Sequence, residues 1–228
     1  VVAVHGQSRN PDDYFNYLMG ALTANQLEDK VLGIAPFFKQ QSEAAQNDFY
    51  WSGITWRAGQ DSASDASISS FGALDRILEH LANPEKFPNL KKVIIIGHSS
   101  GALFTQLYAA ANTIESTYPN LEMTYVSGES QYFYYPDGQR IDPNTQELYT
   151  PTSCSGYDFW PMGYTITPPF LSNVSPTEFN KRFLGRSIVY MLGSGSGSDS
   201  SLNTDDCNAV RQTDARPVLR VLMHHESW

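Results

Sequence analysis

Gly97, His98, Ser99, Ser100 and Gly101 form a G-x-S-x-G pentapeptide. A serine placed this way can sit on a tight, strained turn with its hydroxyl exposed, and the two glycines keep Cβ atoms out of a crowded backbone. Such a serine becomes a nucleophile when an imidazole takes its proton and a carboxylate fixes the tautomer of that imidazole. Two backbone N–H groups must also face the oxygen that becomes negative. His5 precedes the serine and opens a loop, and His80 lies on a helix away from any turn motif, so both read as structural or surface residues. His224 and His225 end the apolar run Val218–Met223; His225, followed by Glu226, is the expected base, with His224 as the alternative. Asp199 is the expected acid and Glu129 the alternative. The amides of Gln7 and Ser100 are the expected oxyanion donors.

The segments around these residues read as strands and helices in alternation. Val93–Ile96 is a buried-strand run that feeds the pentapeptide, and Ala102, Leu103, Phe104, Leu107 and Tyr108 follow at helical spacing. Val1–Val4 reads as a strand ending in His5, Gly6 and Gln7. Asn10, Pro11, Asp12 and Asp13 start a helix whose apolar stripe is Tyr14, Leu18 and Leu22. Lys30–Phe38 reads as the next strand, and a polar loop over 40–70 carries Phe49, Tyr50, Trp51 and Trp56, either a binding wall or a cover for the sheet. Phe71, Leu74, Ile77, Leu78 and Leu81 mark a second helix, stopped by Asn83, Pro84 and Pro88.

Leu121–Val126 is a further strand, and Ser187–Leu192 resumes the sheet after a long irregular stretch from about 131 to 186. A loop of that length is expected to be a lid or a substrate wall, with Trp160 and Tyr164, together with Trp56, as substrate contacts. The alternating Gly–Ser run 193–198 has the composition of a linker where an acid loop is expected. The whole pattern predicts an α/β fold, one domain over 1–228, with a mostly parallel central sheet flanked by helices.

A net charge of −9 argues against nucleic acid as a partner. An 18-residue apolar run and a signal-type leader are both lacking, so stable membrane insertion is not expected, and the oligomeric state is left open. The chain opens inside a strand at Val1, as if earlier residues had been trimmed. Cys154 and Cys207 are the only cysteines, too few for a zinc cluster, and both sit in polar, turn-rich sequence that favours a disulfide in an oxidising compartment. The sequon Asn173-Val174-Ser175 fits a secreted chain. No metal or cofactor is called for.

The set VHGQSRN with DDYF, IIIGHSSGA, GESQYFYYPDGQR, CSGYDFWPMG, YMLG and DDCNAVRQ resembles a secreted bacterial and fungal group of α/β-hydrolases with esterase or lipase character. The resemblance covers Val1 to about Gln212. It implies the α/β-hydrolase fold with a lid-like insertion, Ser99 as nucleophile, Gln7 and Ser100 as oxyanion donors, and a Cys154–Cys207 disulfide. It also implies an extracellular or periplasmic location and a small-molecule or polymeric ester as substrate. There are two departures. The position where the group carries Asp is Ser196, and the segment between Gln212 and the histidines is short. The first favours a rival expectation, a catalytically impaired binding protein on the same scaffold. An amidase or lyase on this fold is the third.

Overall fold

The computed structural model describes residues 1–130, 132–141, 145 and 147–191. Its sheet has the strands β1 (Val2–Val4), β2 (Lys92–His98), β3 (Glu122–Gly128) and β6 (Ile188–Met191), all parallel, in the order β1-β2-β3-β6. The small hairpin β4 (Arg140–Ile141) and β5 (Leu148–Tyr149) lies between β3 and β6 in sequence. The helices are α1 (Pro11–Ala24), α2 (Ser70–Leu81), α3 (Ser100–Ala111), the short α4 (Ile114–Thr117) and α5 (Pro176–Gly185).

The expected strand over 30–38 is reduced to one bridge, Ile34 beside Val2. Ala3 N–H donates to Ile34 O at 2.8 Å, Ile34 N–H to Val1 O at 2.9 Å and the Val1 amino group to Leu32 O at 2.7 Å. Gly33 and Pro36 explain the short run: one adds backbone entropy, the other has no N–H for a ladder. The irregular stretch 131–186, in contrast, contains α5. Ser175 caps it through its side chain, which accepts from Glu178 N–H at 3.2 Å, and Pro176 takes the first helical position. Asn10 does not cap α1 with its oxygen; its amide donates to Asp13 Oδ2 at 2.7 Å.

All twelve residues of α3 are buried, because the helix is covered by the sheet on one side and by α5 and the 3-10 turn Thr55–Ala58 on others. Phe104 sits at 5.0 Å from Phe38, 5.2 Å from Phe71 and 5.8 Å from Tyr108, ring centre to ring centre. Burying one such ring contributes roughly 2–3 kcal/mol. Gln106, fully buried on α3, ties the chain leaving β3 to this helix. Its amide donates to Ser130 Oγ at 3.0 Å and to Tyr132 O at 2.8 Å.

On the opposite flank, Tyr108 Oη donates to Asp75 Oδ1 at 2.5 Å, across α3 and α2. Burial pushes the Asp75 carboxyl up to about 6. A raised carboxyl contributes stability that is fully present below its ordinary value near 4 and is lost as pH climbs through about 6. Asp75→Asn keeps an acceptor for Tyr108 and cannot ionise. It is expected to stabilise the protein by about 2 kcal/mol at about pH 7.5 and to give no gain below about pH 4, read by urea unfolding at both values.

Candidate active site

In a parallel sheet all strand carboxyl ends meet at one rim, where α/β proteins carry their chemistry. Here that rim brings together the residues after β1, β2, β3 and β6. Val4 is level with Gly97, and His98, Gly128 and Met191 are level with one another. Ser99 occupies the step between β2 and α3 with φ 57 and ψ −117. A non-glycine residue at such angles stores on the order of 1–3 kcal/mol, held by surrounding structure. The lock is visible: Ser99 N–H donates to Gly128 O at 3.0 Å, and Ala102 N–H donates back to Ser99 O at 3.0 Å.

Both flanking glycines are sterically required. A Cβ on Gly97 would lie 2.1 Å from Gly101 O, and one on Gly101 would lie 2.3 Å from Val4 O. Strand, helix and β1 thus converge to backbone contact beneath the serine.

The loop after β1 lies against it. A Cβ built on Gly6 falls 3.7 Å from Ser99 Cβ. Arg9 N–H closes the turn onto Gly6 O at 3.2 Å, and the Arg9 guanidinium donates to Gln7 O at 3.2 Å while pairing with Glu43 at 3.0 Å. Gln7 itself is exposed, so its amide sits on an accessible but braced turn. Ser100 is the first residue of α3, a position whose N–H has no partner within a helix.

His5 is fully buried and both ring nitrogens are engaged. Nδ1–H donates to Gly6 O at 2.8 Å, and Nε2 accepts from Phe38 N–H at 3.0 Å. Burial lowers its pKa. It is a neutral structural residue that shapes the loop, in line with its sequence reading. His80 is exposed on α2 near Lys86.

Glu129 follows β3 as Ser99 follows β2. It has φ 51, is exposed, and its N–H donates to Met191 O at 2.8 Å. Trp160 lines a surface cavity of about 520 Å³ together with Arg57, and its indole N–H donates to Ala58 O at 2.7 Å. Tyr164 packs behind it, with its hydroxyl donating to Val174 O at 2.7 Å. The structure corrects the reading of Trp56 as a substrate contact. It has no exposed surface, stacking on Phe38 at 5.0 Å and meeting His5 edge-on at 4.7 Å. A 3-10 turn folds it inward, which no local pattern announces. His224, His225, Asp199 and Cys207 lie outside the described residues, as do the Gly–Ser run and the last expected strand; Cys154 is buried.

No family model matches the chain. No curated protein matches it either. Among solved structures it is similar to LpqC, a poly(3-hydroxybutyrate) depolymerase from Bordetella parapertussis, with a TM-score of 0.63 over 98% of this chain at 15% identity. The chain has the α/β-hydrolase fold. It spans 66% of that protein's length. In that fold Ser99 occupies the strand-to-helix step between β2 and α3, and the loop carrying Gln7 follows the neighbouring strand β1. Arg57, whose Nη1 donates to Ser100 Oγ at 3.4 Å, is the neighbour of this turn that the sequence did not single out. Its only local signal is its position next to Trp56 in a loop rich in aromatics.

Proposed function

We propose that this protein is a serine carboxylic-ester hydrolase of esterase or lipase type, acting through an acyl-enzyme on Ser99. The observation that carries the reading is the conformation of Ser99, φ 57 and ψ −117 at the head of a buried helix. A chain accepts that strain most readily where an exposed hydroxyl is needed.

In this reading His225 takes the Ser99 proton, with His224 as the alternative. Asp199 or Glu129 holds the imidazole tautomer. The hydroxyl oxygen attacks the ester carbonyl, and the amides of Gln7 and Ser100 bind the resulting oxyanion. Collapse expels the alcohol, which takes the proton from the imidazolium. Water then repeats the sequence and releases the acid. No cofactor enters. The neighbour's name supports a polymeric ester as one substrate class, and a Cys154–Cys207 disulfide with an extracellular or periplasmic location completes the reading.

A fluorophosphonate probe is expected to label Ser99 of the folded protein, detected by peptide mass spectrometry. His225→Ala should lose the label and His224→Ala keep it. Folded protein that takes no label at Ser99 would rule out the esterase reading.

A further inference from the structure

Arg9, Arg76, Arg140, Arg182 and Arg186 each form an ion pair, with Glu43, Glu79, Asp158, Glu178 and Glu115. Among the described residues Arg57 is the arginine that has no carboxylate partner, although it is partly buried. Its Nη1 donates to Ser100 Oγ at 3.4 Å, one residue from the nucleophile, and its guanidinium lies 5.2 Å from the centre of the Tyr132 ring. Burial lowers its pKa, yet a guanidinium keeps its charge at any ordinary pH.

A partly desolvated cation that no carboxylate among the described residues neutralises costs free energy that an anionic ligand recovers. The planar fork of arginine matches a carboxylate in two parallel hydrogen bonds. Arg57 also lines the cavity of about 520 Å³ with Thr55, Gln60 and Trp160, which has room for a small ligand. Asp61 lines it too, but outside ion-pair distance of Arg57. The N-terminus of α3 adds partial positive charge on the same side.

We infer that Arg57 is an anion subsite next to Ser99, and that the preferred substrates are esters carrying a free carboxylate which Arg57 binds while Ser99 attacks the ester carbonyl. The inference rests on the esterase reading and narrows it. The carboxylate is not consumed; it positions the ester, so its effect belongs in KM first.

The test compares the para-nitrophenyl monoester of glutaric acid with para-nitrophenyl pentanoate, an uncharged ester of matching acyl length. In Arg57→Gln the ratio of kcat/KM for the anionic over the neutral ester is expected to fall about 10- to 100-fold, as for losing a charge-assisted hydrogen-bonded pair. In Arg57→Lys, which keeps the charge but loses the fork, the fall should be smaller. An unchanged ratio would overturn the subsite. Should Arg57→Gln not fold, the lysine variant carries the same comparison. If wild type hydrolyses neither ester, the esterase reading fails on its own, and calorimetric binding of monoethyl glutarate decides the subsite. Binding that weakens in the Arg57 variants upholds it, and no binding by wild type overturns it.

Discussion

Ser99→Ala is expected to lower kcat for ester hydrolysis by about 10⁴- to 10⁶-fold with the fold intact, the scale on which triad nucleophiles matter. The fold should survive because the side chain is only partly buried and the turn is fixed by backbone bonds, Ser99 N–H to Gly128 O and Ala102 N–H to Ser99 O. Alanine keeps a Cβ in the same strained conformation, so it leaves that cost in place. Ser99→Gly removes it and should melt no lower than wild type while being equally inactive. That pairing separates loss of chemistry from loss of structure: a protein whose strained serine served only packing would not gain from glycine. Hydrolysis of para-nitrophenyl pentanoate alongside circular dichroism melting checks both halves. Retention of more than a tenth of the wild-type kcat in either variant would remove Ser99 from the mechanism.

The second large effect is on folding. Gly97→Ala and Gly101→Ala are each expected to destabilise by about 3 kcal/mol or more, against a total stability of about 5–15 kcal/mol for a typical domain. The new methyl groups would meet Gly101 O at 2.1 Å and Val4 O at 2.3 Å, which are backbone atoms of the core and cannot swing aside. Relief requires α3 to withdraw from β1 and β2, and α3 is buried along its whole length. Urea unfolding reads the loss. A contrast sharpens it: Gly20 and Gly185 have nothing within 4 Å of an added Cβ and lie within α1 and α5, so alanine there should be neutral or slightly stabilising.

Several readings made from the sequence survive in place because their signals are local. β-branched residues before a glycine and a helical repeat after it specify the step at Ser99 without reference to the rest of the chain. The boundaries of α2 and β3 follow the same logic. The helix α5 shows the opposite error. Ser175, Pro176 and Glu178 are a helix-start signature, yet the surrounding prolines and turn residues of 131–186 mask a short amphipathic stripe of which Phe179 and Phe183 are the buried part. Capping acts within one turn whatever follows, so Ser175 and Pro176 start the helix despite the irregular surroundings.

What the residue order determines alone is therefore the strained strand-to-helix turn at Ser99 and the alternation of strands and helices that makes a parallel sheet with its strand ends on one rim. The turn depends on spacing within a dozen residues, and the sheet on such short signals repeated along the chain. Only the tertiary structure decided that Trp56 fills the core, that Lys30–Phe38 contributes a single bridge, and that Arg57 reaches Ser100 from 43 positions away. Contacts of that separation are selected by which surfaces pack and which charges find partners. No periodicity in the chain records that selection.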